Sequence, residues 1–182
     1  SHAIQDLPAM VSVDIETAGP VPGRYTILSI GACLVADPTQ SFYAELQPDA
    51  FDVDPVALSI SGLDLETLTQ RGQPPQAALE QLDAWLKMHI PAGTKPIFVA
   101  FNAAFDWMFM NACFHQYLGY NPFGHFALDI KAFYMGLKCV RLSDTSFSKI
   151  SALYLNNKPL THNALADAQD QAVVFYQLLQ EA

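Results

Sequence analysis

The sequence is poor in the residues that staple small secreted domains. Its three cysteines, Cys33, Cys113 and Cys139, are odd in number and widely spaced, with no C-x-x-C pair. That argues against a disulfide framework and a cysteine zinc module, and fits a reducing, cytoplasmic setting. Positive charge is equally scarce: 9 Lys and Arg stand against 18 Asp and Glu, a formal net charge of −9. A broad basic surface for coating long duplex DNA is thereby disfavoured. A nucleic-acid enzyme is not, because net charge takes no account of divalent cations held by carboxylates. Long apolar runs are missing too. Residues 25–36 are too few, and residues 97–114 are interrupted by Asn102, Asp106 and Asn111, so neither resembles a membrane span of about 20 apolar residues. No secretory signal is legible, and Ser1-His2 in place of an initiator Met reads as a cloning remnant, leaving 3–182 as the expected domain.

What is present points to one packed domain. The chain has 182 residues, 51% apolar and 15% charged, enough to bury a sizeable core. Residues 10–14 form a short apolar run ending in a carboxylate, and residues 26–36 a longer one after the turn-prone Gly19-Pro20-Val21-Pro22-Gly23. Phe42, Ala44 and Leu46 alternate with Tyr43 and Glu45 as in a half-buried strand, completing an expected three-strand meander. The period then changes. Leu79, Leu82 and Leu86 predict a helix over 75–89 behind Pro74-Pro75, and residues 64–71 a shorter helical piece ended by Gly72. Residues 95–101 and 126–130 read as strands, 103–117 as a helix, and Leu165, Ala168, Ala172, Phe175 and Leu179 as the apolar face of a last helix. Alternating strands and helices predict an α/β class with a mixed sheet.

Three places hold carboxylates where apolar surroundings make them costly. Asp14 and Glu16 follow Val11 and Val13 at the end of the first strand, and alternation sends both side chains to one face. Asp106 is embedded in Phe105, Trp107, Met108, Phe109 and Met110, where a helix N-terminus is one source of compensation. His162 precedes the last helix and Asp167 lies in its first turns, with Asp170 as an alternative carboxylate one turn on. Residues 131–158 add Lys131, Lys138, Arg141, Lys149 and Lys158 against Asp144 alone, which is either a polyanion-facing patch or a solvated surface.

Three segments, Val11-Ser-Val-Asp14-Ile-Glu16-Thr-Ala-Gly19, Phe101-Asn-Ala-Ala-Phe105-Asp106 and His162-Asn-Ala-Leu-Ala-Asp167-Ala168, resemble in order and spacing the motifs of the DEDDh 3′-to-5′ exonucleases. The resemblance extends over essentially the whole chain and includes ribonuclease T and proofreading exonucleases. It implies a ribonuclease H-like fold, a mixed five-stranded sheet flanked by helices, with the acids gathered at one edge of the first strand. It also implies that Asp14, Glu16, Asp106 and Asp167 hold two Mg²⁺ or Mn²⁺ ions, Glu16 having a catalytic role as well, and that His162 is the general base. Hard divalent cations prefer oxygen ligands, and a histidine titrates near working pH. The implied partners are single-stranded DNA or RNA 3′ ends, with a homodimer or a polymerase as possible assemblies and no membrane. The implied reaction releases nucleoside 5′-monophosphates.

The chain departs from that pattern at Phe101, where many relatives have His, at Ser61 in Ile60-Ser61-Gly62, where many have His-Gly, and at Ala18. The resemblance brings the Thr17 and Ala18 backbone to the terminal sugar or base and leaves Ser61, Asn102 and Phe105 as candidate substrate contacts. Trp107 reads as core, Asp129 as an N-cap, His89 as a helix-end histidine, and Cys113, His115 and His125 as too irregular for zinc. Two competing functions are a catalytically silent nuclease-like binding module and a phosphatase with Asp14 as nucleophile. All five reactive positions are filled, which opposes the first. Glu16, standing where that phosphatase chemistry wants Asp, opposes the second.

Overall fold

The computed structural model describes residues 2–182, so Ser1 lies outside the described residues. After a 3-10 segment, His2–Ala9, three strands form the expected meander: β1 (Met10–Thr17), β2 (Ile27–Leu34) and β3 (Ser41–Glu45). Helices α1 (Pro55–Ser61), α2 (Leu65–Arg71) and α3 (Pro75–His89) follow, then β4 (Ile97–Ala100), α4 (Ala103–Leu118), β5 (Ala127–Asp129), α5 (Ile130–Lys138), α6 (Phe147–Tyr154) and α7 (Ala164–Glu181). The sheet has the order β3-β2-β1-β4-β5, antiparallel across β1–β2–β3 and parallel across β1–β4–β5. This is the mixed five-stranded sheet flanked by helices.

Local chemistry explains where the helices begin. Asp54, Asp64, Asp129, Ser146 and Asn163 each accept a hydrogen bond from a backbone N–H of the first turn, at Val56, Thr67, Ala132, Lys149 and Ala166. Pro75 opens α3 with a φ already suited to a helix. The sheet divides the core. Val11, Val13, Ile15 and Phe98 pack on one face against Leu79 and Leu82 of α3 and Phe109 and Phe114 of α4. Met10, Cys33 and Val99 pack on the other against Ile130 of α5, Ile150 of α6 and Ala168, Ala172 and Phe175 of α7. Trp107 lies edge-on to Phe98 with ring centres 5.3 Å apart, packed against the core as its sequence context suggests.

Two details of packing place the site. Strand β1 pairs with β4 only from Met10 to Ser12, whereas its pairing with β2 continues to Thr17, with a bulge between Glu16 and Thr17. From Val13 onward, therefore, one edge of β1 is unpaired by β4. On the α7 side, Gly31 of β2 faces the first turn of the helix so closely that a Cβ would stand 2.3 Å from the Ala164 carbonyl. Only a residue without a side chain lets the N-terminus of α7 settle onto the sheet beside Asp14, the register partner of Gly31.

Candidate active site

Strand β1 is central, and its helical and strand neighbours bring the motif residues to its C-terminal half. Asp14 and Glu16 alternate with buried Val13 and Ile15 on the face covered by α7, where Ser12 Oγ donates to the Ala168 carbonyl at 2.7 Å. The strand runs on to Thr17, so both carboxylates project from within it, and the bulge at Glu16 turns the chain just there.

Asp106 arrives from α4. The turn out of β4 is made at Asn102, whose φ of 63° is left-handed and costs a non-glycine residue about 1–2 kcal/mol. Asp129 offsets part of that cost: its Oδ2 accepts the Ala103 N–H at 2.8 Å while its Oδ1 caps α5, so the expected N-cap also anchors α4. Asp106, 4% exposed in the first turn of α4, accepts the Ile15 N–H at 3.1 Å. That N–H belongs to the edge of β1 that β4 leaves unpaired.

Asp167, 2% exposed in the first turn of α7, accepts from Thr161 twice, from its N–H at 2.9 Å and its hydroxyl at 2.8 Å. His162 follows, exposed, with a left-handed φ of 54°. Ligand-capable atoms of Glu16, His162 and Asp167 all lie within 4.8 Å of one another. Asp14 joins through charge. Burial, then the neighbouring Asp106, Glu16 and Asp167, push its carboxyl well above the usual range, against a hydrogen bond from Gln171 Nε2 at 2.8 Å. Burial likewise raises Asp106, opposed by the Ile15 N–H. Burial and then Asp167 push Glu16 up to about 7.

Among the described residues no Lys or Arg forms an ion pair with any of these four acids; the ion pairs involve Asp52, Asp83, Glu181, Asp144 and Asp170. Asp14, Glu16 and Asp106, each held toward its protonated form, and Asp167 beside them receive hydrogen bonds only from neutral donors among the described residues, an oxygen-rich donor set suited to hard divalent cations. The donor set lies apart from the cavity of about 410 Å³ lined by Asp83, Lys87, Lys95 and Tyr120, which contains none of the motif residues.

The other sequence candidates fall into distinct places. Phe105 is half-buried beside Asp106 and packs on Phe109 at 5.3 Å, and Asn102 is exposed with no side-chain capping bond. Thr17 is buried and donates its hydroxyl to Gly19 O at 2.8 Å. Ala18 is fully buried, its N–H given to Thr26 O and its carbonyl taken by Asp54 N–H, so both backbone groups are already engaged. The Ser61 hydroxyl donates to Leu58 O and accepts from Leu63 N–H at the end of α1. Phe101 stacks edge-on against Phe147, with Lys131 Nζ 5.8 Å from its ring centre. Asp170, the alternative acid, is paired with Lys158 and stands outside the cluster. His89 Nδ1 bonds the Trp85 carbonyl at 2.8 Å, and His115 and His125 join no metal-capable group among the described residues.

Sequence reasoning missed Gln171 and Thr161. Gln171, 2% exposed on α7, accepts the Phe101 N–H through Oε1 and donates to Asp14 through Nε2, tying the end of β4 to β1. A polar residue on the buried face of an otherwise apolar helix was the available signal.

The exonuclease family profile matches residues 11–175. A 3′-5′ DNA exonuclease of Escherichia coli, Cap18, is 42% identical over 170 residues, 93% of this chain and 91% of the relative. A ribonuclease T of Shewanella denitrificans is 29% identical over 183 residues, 91% of this chain and 77% of that protein. The solved nuclease domain of 3′hExo, a DEDDh family member bound to rAMP, superimposes with a TM-score of 0.76 at 15% identity, covering 95% of this chain and 92% of that one. Longer solved exonucleases share the fold, and this chain spans 64% of one and 40% of another. With the profile covering nearly its full length and a relative matched over nine-tenths of both sequences, the chain belongs to the exonuclease family, with the ribonuclease H-like fold of its 3′-5′ exonuclease relatives.

Proposed function

We propose that residues 3–182 act as one 3′-to-5′ exonuclease domain that removes nucleoside 5′-monophosphates from single-stranded DNA or RNA ends in a reducing, cytoplasmic setting. The observation that carries this reading is the cluster of Glu16, Asp167 and His162, joined through charge by Asp14 and with Asp106 on the unpaired edge of β1, where no Lys or Arg among the described residues is paired with the acids. Asp14, Glu16, Asp106 and Asp167 would hold two divalent cations, Mg²⁺ or Mn²⁺. Bound there, such ions supply positive charge to the phosphoryl oxygens and acidify water.

The chain's own residues do the rest. An imidazole nitrogen of His162 accepts a proton as the water oxygen bonds to phosphorus, the bond from phosphorus to the preceding 3′ oxygen breaks, and that oxygen takes a proton from solvent to become the new 3′ hydroxyl. The exposed position of His162 allows the proton to pass on to solvent. Glu16, close to His162 and Asp167, orients the attacking water as well as carrying negative charge to the metal site. Thr161 and Gln171 hold Asp167 and Asp14 in fixed rotamers, so the donor set is organised before substrate arrives. Phe105 and Asn102, at the turn into α4, offer a stacking face and an amide to the terminal nucleotide, whereas the Thr17 and Ser61 hydroxyls and the Ala18 backbone are engaged within the fold and would act only by holding the chain in shape.

A short single strand suits the surface. Of the five basic residues in 131–158, Lys138, Lys149 and Lys158 are paired with Glu181, Asp144 and Asp170, which leaves Lys131 and Arg141 for phosphates. Few phosphate contacts mean weak binding to long duplex. No helix among the described residues is long and apolar enough to cross a membrane.

The test is digestion of 5′-labelled DNA and RNA oligomers, single-stranded and blunt duplex, with Mg²⁺, Mn²⁺ or EDTA at one salt concentration. A ladder shortened from the 3′ end, mononucleotide products, preference for single strands and complete inhibition by EDTA are expected. Binding without metal-dependent release of mononucleotides would identify a silent binding module and overturn the reading.

A further inference from the structure

The connection between α6 and α7, residues 155–163, carries His162 and is exposed from Asn156 to Asn163. It is nevertheless tied to α7 through two of its residues. One is Thr161, through its pair of bonds to Asp167. The other is Lys158, whose Nζ reaches Asp170 Oδ1 at 2.8 Å. Asp170 is 8% exposed, and its second oxygen, Oδ2, is buried without a hydrogen-bond partner. A carboxylate in that position depends on the Lys158 cation for most of its compensation.

The backbone is shaped to deliver Lys158 there. Asn156 and Asn157 take left-handed φ values of 53° and 61°, which Asn tolerates better than most residues, and reverse the chain after α6. The Lys158 N–H then donates to Leu155 O at 3.1 Å, and its carbonyl accepts from the Ser151 hydroxyl on α6. Asp167 and Asp170 are three residues apart on α7 and so share one helix face. The bonds to Ser151 and Leu155 hold the start of the loop to α6, and the contacts with Asp167 and Asp170 hold its middle and end along α7.

We propose that the Lys158–Asp170 ion pair is a strap that holds the His162 loop against α7, which makes Lys158 and Asp170 positioning residues for the imidazole. The proposal rests on the reading of His162 as the general base. It gives Asp170 a role other than the metal ligation its sequence neighbourhood suggests. It also gives Lys158 a role other than phosphate binding.

The test uses the whole chain with Lys158→Met, Asp170→Asn and Lys158→Arg, each alone and combined with His162→Ala. Turnover and KM are measured on a labelled single-stranded oligomer, divalent-ion binding by calorimetry, and hydrogen exchange across residues 155–163. Misplacing a reacting group by about 1 Å costs up to roughly 100-fold, so Lys158→Met and Asp170→Asn should lower kcat between about 10-fold and 100-fold with KM changed by less than about 2-fold. Exchange in 155–163 should quicken, ion binding should persist, and Lys158→Arg should restore turnover. Lys158→Met should be the more damaging, because it strands a buried carboxylate while Asp170→Asn removes the charge.

In the His162→Ala background neither strap variant should cost further activity. A full additional loss there, or unchanged kcat in the folded single variants, would overturn the proposal. Wild-type turnover in His162→Ala alone would instead sink the base assignment and the positioning role with it. The exchange data would then still show whether the ion pair holds the loop.

Discussion

Two groups of buried carboxylates stand at opposite ends of β4, and they are neutralised in opposite ways. Asp83 on α3, 8% exposed beside the segment leading into β4, receives Lys87 Nζ and the Tyr120 hydroxyl, each at 2.6 Å. Its cation comes from one helical turn away in its own sequence. Asp14, Asp106 and Asp167, with the half-buried Glu16, gather beyond the other end of β4 and receive only neutral donors, from Gln171, Ile15 and Thr161. Burial is common to both groups, so burial alone does not mark chemistry. What distinguishes the second group is a concentration of negative charge that no Lys or Arg among the described residues pairs with, the feature on which the proposed cation site rests.

The largest expected effect comes from removing one acid of the uncompensated group. Asp14→Asn should lower turnover by well beyond the roughly 100-fold that loss of a supporting contact costs at a metal site. In metal-free protein it should raise the melting temperature, since it removes an acid whose charged form is disfavoured first by burial and then by repulsion from Asp106, Glu16 and Asp167. Turnover assays and thermal melts on the same preparation check both halves, and a fall in melting temperature comparable to the loss of a core contact would erase the distinction between the two groups.

Asp83→Asn should behave in the reverse sense. It should cost about 1–3 kcal/mol of stability, as expected for a buried charged acceptor with two partners, and leave kcat unaltered. Urea unfolding beside the nuclease assay measures it, and loss of activity without loss of stability would break the comparison.

The smallest effect is a pH dependence. Glu16 titrates near 7 in the metal-free fold against an ordinary value of 4.5. Its proton is thus bound more tightly folded than unfolded, and its contribution to stability is complete below about 4.5 and lost as pH rises through about 7. Metal-free protein should lose melting temperature across that window, and saturating Mg²⁺ or Mn²⁺ should flatten the profile because a bound cation favours the ionised form. Because burial also raises Asp14 and Asp106, an identical slope with and without cation would show that none of these acids faces a metal.

Much of this was legible from the chain because the signals were local. The meander, the helix at 75–89 and the apolar face of α7 follow from periodicity, Gly72 and Pro75 mark helix boundaries, and Asp129 reads as a cap because capping acts over three residues. Helices α5 and α6 were less visible: their apolar residues meet partners on α7 that no short window contains. The basic stretch at 131–158 misleads for the same reason, since Glu181 and Asp170, which neutralise Lys138 and Lys158, lie far downstream. Gly31 carries no local signal of its role, because the first turn of α7 that rests on it lies far downstream.

The sequence by itself determined the inventory: which acids are too costly to bury idly, where strands and helices start, and which order the motifs take. Those are properties of residue type and short-range spacing. Only the tertiary structure decided which acids share a field, which lysines are already spent, and that Asp170 anchors a loop instead of joining the cluster. Charge interacts through space, and the chain brings Asp14 against Gln171 and Ile15 against Asp106 across separations that sequence order does not record.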